Sequence, residues 1–258
     1  MSSDAVTMRW PSELNAAMSK SAPGIATADE LCATCVGLVG VDGVALSMVY
    51  QGASTGTFGS SSEASRRLDE YQFTFGEGPC LDAVASQETV LAPDLASPGE
   101  QRWPLLTGAL LDEGIRGVFA MPVRIMSVCV GALDLFRSDP GPVDSDALAG
   151  AMVAAELAAA PLIDLIAGAV GVEGDDEALL RSMQSGPDHL AELDRVEVYQ
   201  ATGMLIAALD VDAPEALVRL RAHAIATGQT ATEVARAIIE RKLMLERDPS
   251  SGAGRGTG

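Results

Sequence analysis

The stretch GVEGDDE at residues 171–177 is the feature that most constrains how this chain can fold. Glycine and acidic residues crowded in this way belong to no hydrophobic core, so the chain has to build separate cores on either side of it. The two sides differ in charge. Residues 1–189 hold nine basic and 26 acidic side chains, whereas residues 190–258 hold eight and ten, and within 218–247 six basic side chains outnumber three acidic ones. A formal net charge of -19 argues against coating nucleic acid or an anionic membrane by bulk electrostatics, and leaves one local basic face as the alternative.

Residues 1–24 are polar, with Pro11 and the Pro23-Gly24 pair, and read as a loose or partly helical lead-in. Thr27 and Glu30 have the spacing of a capping box and predict a helix with Leu31, Cys35 and Leu38 on one face. The pattern then predicts a strand at GVALSMVYQG, a helix at SEASRRLDEYQF, a short strand at ETVLAPDL and a helix at WPLLTGALLDEG. IRGVFAMPVRI and SVCVGALDLFR follow as a hairpin turning near Met126-Ser127. Helices beside a mostly antiparallel sheet make residues 25–168 an α+β domain.

Its last segment, 144–168, places Leu148, Met152, Ala155, Ala159, Leu162 and Ile166 at alternating steps of four and three. That seam suits a connecting and dimerising helix, and it suits equally well packing on the domain's own sheet, with Pro161 kinking the run. Glu156 and Asp164 would each cost roughly 2.5–3.5 kcal/mol near a bilayer centre, so no membrane partner is expected. No secretory pattern marks the start, and four cysteines are too few for a disulfide scaffold, which predicts a reduced, cytoplasmic protein.

After a linker over 169–187, residues 188–247 predict three helices. The first runs from about His189 to Leu209, with Val198, Ala201, Leu205 and Leu209 on one stripe. Asp212, Pro214 and Glu215 open the second, and Gly228 closes it. Thr230 and Glu233 cap the third, which buries Val234, Ile238 and Leu245. Small residues at Ala201, Gly203, Ala216, Ala224 and Ala235 allow close helix approach. Residues 248–258 read as a disordered tail.

The run QATGMLIAALDVDAPEALVRLRAHAIATGQTATEVARAIIERKL resembles the ANTAR module. The resemblance rests on Ala201, Gly203 and Leu205, on Glu215-Ala216, on Leu220-Arg221 with Ala224, and on Val234-Ala235. It implies an all-α, three-helix domain that binds paired RNA stem-loops as a dimer and prevents a terminator from forming. Gln200, Thr202, Arg219, Arg221, His223, Arg236, Arg241 and Lys242 are then the RNA-binding candidates. Ala201, Gly203, Leu205, Ala216, Leu220, Ala224 and Ala235 form the module core. Thr202 stands where many members carry lysine. Arginine suits this role because its planar fork meets phosphate bidentately and stacks on bases.

YQFTFGEGPCLDAVAS at 71–86, with the element order around it, resembles a GAF domain, a small-molecule sensing fold with a six-stranded antiparallel sheet. Together the two resemblances imply a GAF–ANTAR transcription antitermination regulator of the actinobacterial type. Such a protein would be a homodimer and not an enzyme, would use no cofactor, and would take a small-molecule or signalling partner at the GAF domain. Glu77 and Cys80 are the possible ligand or redox residues, because helix-N-terminal amides lower a thiol's pKa. The alternative is a GAF-based thiol sensor or methionine sulfoxide reductase-like enzyme using Cys80. Cys32 and Cys35 read as packed core, no metal site or catalytic pair emerges, and the acidic residues over 133–197 read as solvated surface.

Overall fold

The computed structural model describes residues 3–50, 53–170 and 195–245. The chain divides into two compact units, Met1–Asp194 and Arg195–Gly258. In the first unit, α1 (Ser3–Met18) and α2 (Ile25–Val39) precede the strands β1 (Gly43–Tyr50) and β2 (Ala53–Ser60). Then come α3 (Glu63–Phe75), α4 (Pro79–Ser86), β3 (Val90–Ala92), α5 (Pro104–Asp112), β4 (Gly117–Ile125), β5 (Val128–Arg137), α6 (Ser145–Leu157) and α7 (Ala159–Val170). The strands form an antiparallel sheet in the order β2-β1-β5-β4-β3. Five strands are found among the described residues, where the GAF resemblance implied six.

Helices α1, α2, α6 and α7 cover one face of this sheet over a continuous apolar core that includes Trp10, Leu31, Leu46, Phe119, Leu133 and Leu162. Burial of this kind stabilises by about 25 cal/mol per Å² of apolar surface. The other face is covered by α3, α4 and α5, with Trp103, Leu106, Leu110 and Phe136 in one cluster and Val49, Cys80, Ala83, Ala120 and Ala132 in another. β4 and β5 are joined by the two-residue turn Met126-Ser127, as the sequence predicts, with Ile125 paired to Val128 and Met126 at φ 53°.

Several expectations change. The lead-in contains α1, whose Trp10 and Leu14 enter the main core. Thr27 and Glu30 form no capping box: Gly24, at φ 86°, starts α2 earlier, and the Thr27 hydroxyl donates to Ala22 O at 2.8 Å. The edge strand β2 lacks the bulky alternating pattern that marks a strand, and a Cβ at Gly59 would lie 2.8 Å from the Ala28 backbone of α2. The helical run breaks at Ala158, three residues before Pro161, which has no N–H to donate. Its seam serves its own domain. Ala155, Leu162 and Ile166 are fully or almost fully buried in the core, while Met152 is 50% exposed. Ser145–Gly168 is long and apolar enough to cross a membrane, yet its buried side is spent on this core.

In the second unit α8 (Val196–Leu209), α9 (Ala213–Thr227) and α10 (Ala231–Ile239) pack pairwise on one another. Any helix upstream of Val196, most of the expected linker 169–187 and the tail 248–258 lie outside the described residues. The caps are those the sequence predicts. Asp212 Oδ1 accepts from Glu215 N at 2.9 Å, Gly228 takes φ 67°, and Thr230 and Glu233 satisfy one another's backbone N–H groups. Past α10, Lys242 N bonds Ala237 O and Arg241 N bonds Ile238 O, with Arg241 at φ 58°, so the helix ends in a Schellman turn. Leu245 is only half-buried.

Ala201, Leu205, Ala216, Leu220, Ala224 and Ala235 all lie in the core of this unit, whereas Gly203 does not. Gly203 is exposed, and a Cβ built on it meets nothing within 4 Å, so its expected place in the core is corrected. Glycine in a helix interior costs about 1 kcal/mol relative to alanine. Gly203→Ala is therefore expected to stabilise the unit by about that amount, read as a rise in its thermal unfolding midpoint.

Candidate functional sites

The GEGPC turn, residues 76–80, is where α3, α4 and α5 converge. Gly76 closes α3 at φ 69°, and its N–H donates to Gln72 O. Glu77 Oε1 accepts from Leu105 N at 2.7 Å and Leu106 N at 2.9 Å, capping the first turn of α5 from a neighbouring loop. A Cβ at Gly78, φ 148°, would lie 2.4 Å from Gln72 Oε1. Pro79 opens α4, where its missing N–H is harmless. Cys80 N then donates to that same Gln72 oxygen at 2.8 Å. Glu77 thus serves as a helix cap rather than as an open ligand group.

The Gln72 amide faces two ways. While Oε1 receives Cys80 N, Nε2 donates to Asp134 Oδ2 at 2.7 Å, tying α3 and α4 to β5. Asp69, one turn earlier on α3, accepts from Ser54 at 3.0 Å and Thr57 at 2.6 Å on β2. Both carboxylates are fully buried. Burial pushes the Asp134 pKa up to about 8, with the charge of Asp69 adding to the rise and the Gln72 bond opposing it. At neutral pH Asp134 holds its proton. This residue falls within the acidic set expected at the solvated surface, and the structure moves it to the interior because both faces of β5 are covered.

Cys80 is fully buried, and its backbone N–H is already used by Gln72. A thiol without solvent access meets neither peroxide nor sulfoxide, which weighs against the redox alternative at Cys80. Cys32 and Cys35 are packed core. Burial pushes Cys35 up to about 12 and Cys32 well above its ordinary value. Cys129 is the half-exposed thiol of the four. No group of three or more His, Cys, Asp or Glu side chains converges on a metal position among the described residues.

In the second unit the expected basic residues separate by environment. Arg219 is paired with Glu215 at 2.6 Å, one turn away on α9, and His223 follows it at half exposure. Arg236 is 62% exposed, with Glu197 at 3.4 Å. Lys242 is exposed and pairs with Glu240, and Arg241 and Gln200 are exposed. Thr202 is buried, its hydroxyl donating to Val198 O at 2.7 Å, so it belongs to the core and is corrected as an RNA-facing residue. Arg221 lies beside Arg195, the N-cap residue of α8, and Tyr199. Burial first, then the Arg195 guanidinium, push the Arg221 pKa down, and Tyr199 acts in the opposite sense. Arg195 and Tyr199 are absent from the sequence-based candidates. The available signal was that Tyr199 is the only Phe, Trp or Tyr in residues 195–258.

Residues 24–162 match the GAF domain family and residues 191–239 match the ANTAR domain family. Solved structures similar to this chain include the GAF domain from Acinetobacter phosphoenolpyruvate-protein phosphotransferase. The two share 12% identity over 64% of this chain and 96% of that one, with a TM-score of 0.49. The corresponding GAF domain from Coxiella burnetii gives 17% identity over 66% and 96%, with a TM-score of 0.47. Free methionine-R-sulfoxide reductase from Neisseria meningitidis, in complex with its substrate, gives 15% identity over 62% and 90%, with a TM-score of 0.46. No curated protein matches the chain.

Two outcomes follow from the buried groups. The Asp134 pKa is raised on folding from 3.8 to about 8, so its stabilising contribution is complete below pH 4 and declines as pH rises towards 8. The slope is at most about 1.4 kcal/mol per pH unit, and Asp134→Asn should flatten it in denaturant titrations run across that window. Under native conditions a small alkylating reagent should label Cys129 and spare Cys32, Cys35 and Cys80. Mass spectrometry showing native labelling of Cys80 would reopen the redox reading.

Proposed function

We propose that this chain, which belongs to the GAF domain family and carries an ANTAR domain after its GAF domain, is a cytoplasmic RNA-binding transcription antitermination regulator. The ANTAR domain binds paired RNA stem-loops and prevents the terminator from forming, and the GAF domain senses the signal, a small molecule or a signalling partner, that sets this activity. The observation that carries the reading is the ANTAR match on a separately compact three-helix unit. The GAF and ANTAR pair supports a regulatory role rather than an enzymatic one. The burial of Cys80 supports the same choice.

The working form is a homodimer, since paired stem-loops offer two equivalent sites. In it, a signal that changes the packing of α6 and α7 alters the spacing of two ANTAR domains and hence their fit to the RNA. Among the candidate cations, Arg241 is exposed and Arg236 is exposed with Glu197 no nearer than 3.4 Å, while Arg219 is held by Glu215 at 2.6 Å.

The test is binding of the full chain to a two-hairpin RNA and to a scrambled control across a salt series. Hairpin-dependent binding is expected, with a log–log salt slope that falls by about one unit for each of Arg236→Ala and Arg241→Ala. Sedimentation of the same mixtures should find two chains per RNA. Equal affinity for the scrambled control would overturn the proposal.

A further inference from the structure

The second unit buries alanine, valine, leucine and isoleucine, and leaves its one large aromatic outside. Tyr199 is 42% exposed on α8. Its helical neighbours at steps of three and four are Val196, 52% exposed, and Gly203, exposed with open space at its Cβ position, and Gln200 completes the patch. Alanine would fit at Gly203 and favour the helix, so among the described residues the glycine has no packing reason. What a glycine offers on an exposed helix face is close approach to the backbone by something outside the molecule. Beside this patch Arg221 is half-buried, whereas the neighbouring Arg195 side chain lies fully inside the unit.

We infer that the α8 face formed by Val196, Tyr199, Gln200 and Gly203, with Arg221 at its edge, receives an unpaired loop base of the RNA, stacked on the Tyr199 ring. The inference rests on the RNA-binding reading above and assigns the contact that distinguishes a hairpin loop from its stem. A duplex shows a protein its phosphates and groove edges, whereas a loop base turned out of its stack presents a flat π face, which an exposed aromatic ring matches. Gln200 lies where its amide can meet the edge of such a base, and Gly203 leaves room for the attached ribose. Arg221 supplies charge to the flanking phosphate. A phosphate backbone is drawn to the same charge.

The experiment uses the full chain and a two-hairpin RNA carrying 2-aminopurine at single loop positions. Binding should quench one loop position. Tyr199→Ala should abolish that quench and weaken binding on the order of tenfold, the loss expected for one base–aromatic stack. Tyr199→Phe should retain both the quench and the affinity. Gly203→Leu, on an open face, should weaken binding while its unfolding transition shows the helix intact. Unchanged binding by Tyr199→Ala, or a Phe variant as weak as the Ala variant, overturns the stack while the RNA reading stands. Failure of the unaltered chain to prefer hairpins overturns the RNA reading and this inference with it. If Tyr199→Ala instead splits a dimer in sedimentation and leaves RNA affinity intact, the face belongs to a second copy and the inference is wrong.

Discussion

The side-chain amide of Gln72 holds together the part of the first unit that lies between α3, α4 and the sheet. One end accepts the first free N–H of α4 and the other donates to a carboxyl buried on β5. An amide is suited to this because it presents a donor and an acceptor in a fixed plane, so it bonds Cys80 N and Asp134 Oδ2 together without importing charge. Around it the choices are consequential. Gly78 is glycine because a side chain would collide with the amide, and Asp134 keeps its proton because the interior and Asp69 both oppose a second negative charge. α4 can sit close to the sheet because the residues beneath it include Ala120 and Ala132.

This arrangement bears on how the first unit can respond to a perturbation, as the proposed sensing role requires. The polar groups on this face of the sheet bond chiefly to one another, so a perturbation there trades one set of hydrogen bonds for another. Moving Gln72 releases Cys80 N and Asp134 together, and each buried group left without a partner costs about 1–3 kcal/mol. Such coupling favours discrete rearrangement over gradual deformation, the behaviour the proposed sensing role calls for. The opposite face is a continuous apolar core shared by α1, α2, α6 and α7, with no comparable polar set among the described residues.

Local signals were legible in the sequence wherever a few neighbouring residues decide the structure. The caps at Asp212, Gly228 and Thr230, and the hairpin at Met126-Ser127, depend on contacts within five residues and were read correctly. Features decided by distant partners were not. Asp134 lies in the alternating run LDLF, where a polar residue between leucines ordinarily faces water, and nothing local announces that α3 covers that side. The 144–168 seam has the same spacing whether a second chain or the domain's own helices fill it. Gly203 reads as a packing glycine because the sequence carries its spacing and not its exposure. Pro23-Gly24 overrode the Thr27–Glu30 box because the backbone at Gly24 set the start of α2 before a side-chain cap could.

The charge distribution and the surface of the second unit lead to one consequence for recognition. A chain with a net charge of -19 is repelled by a polyanion at long range, so encounter is not driven by bulk attraction. Under the proposed RNA-binding function, binding then has to be supported by contacts made only at short distance: guanidinium forks on phosphate, and an exposed ring on a base. Contacts of this kind are lost when the geometry is wrong by an ångström or two, and nonspecific attraction is too weak to compensate. On that proposal, an acidic protein with a small, partly neutralised basic face gains selectivity for RNA shape at the expense of raw affinity. The pairing of Arg219 with Glu215 and of Lys242 with Glu240 has the same effect, since each removes a cation that would otherwise serve any phosphate backbone equally.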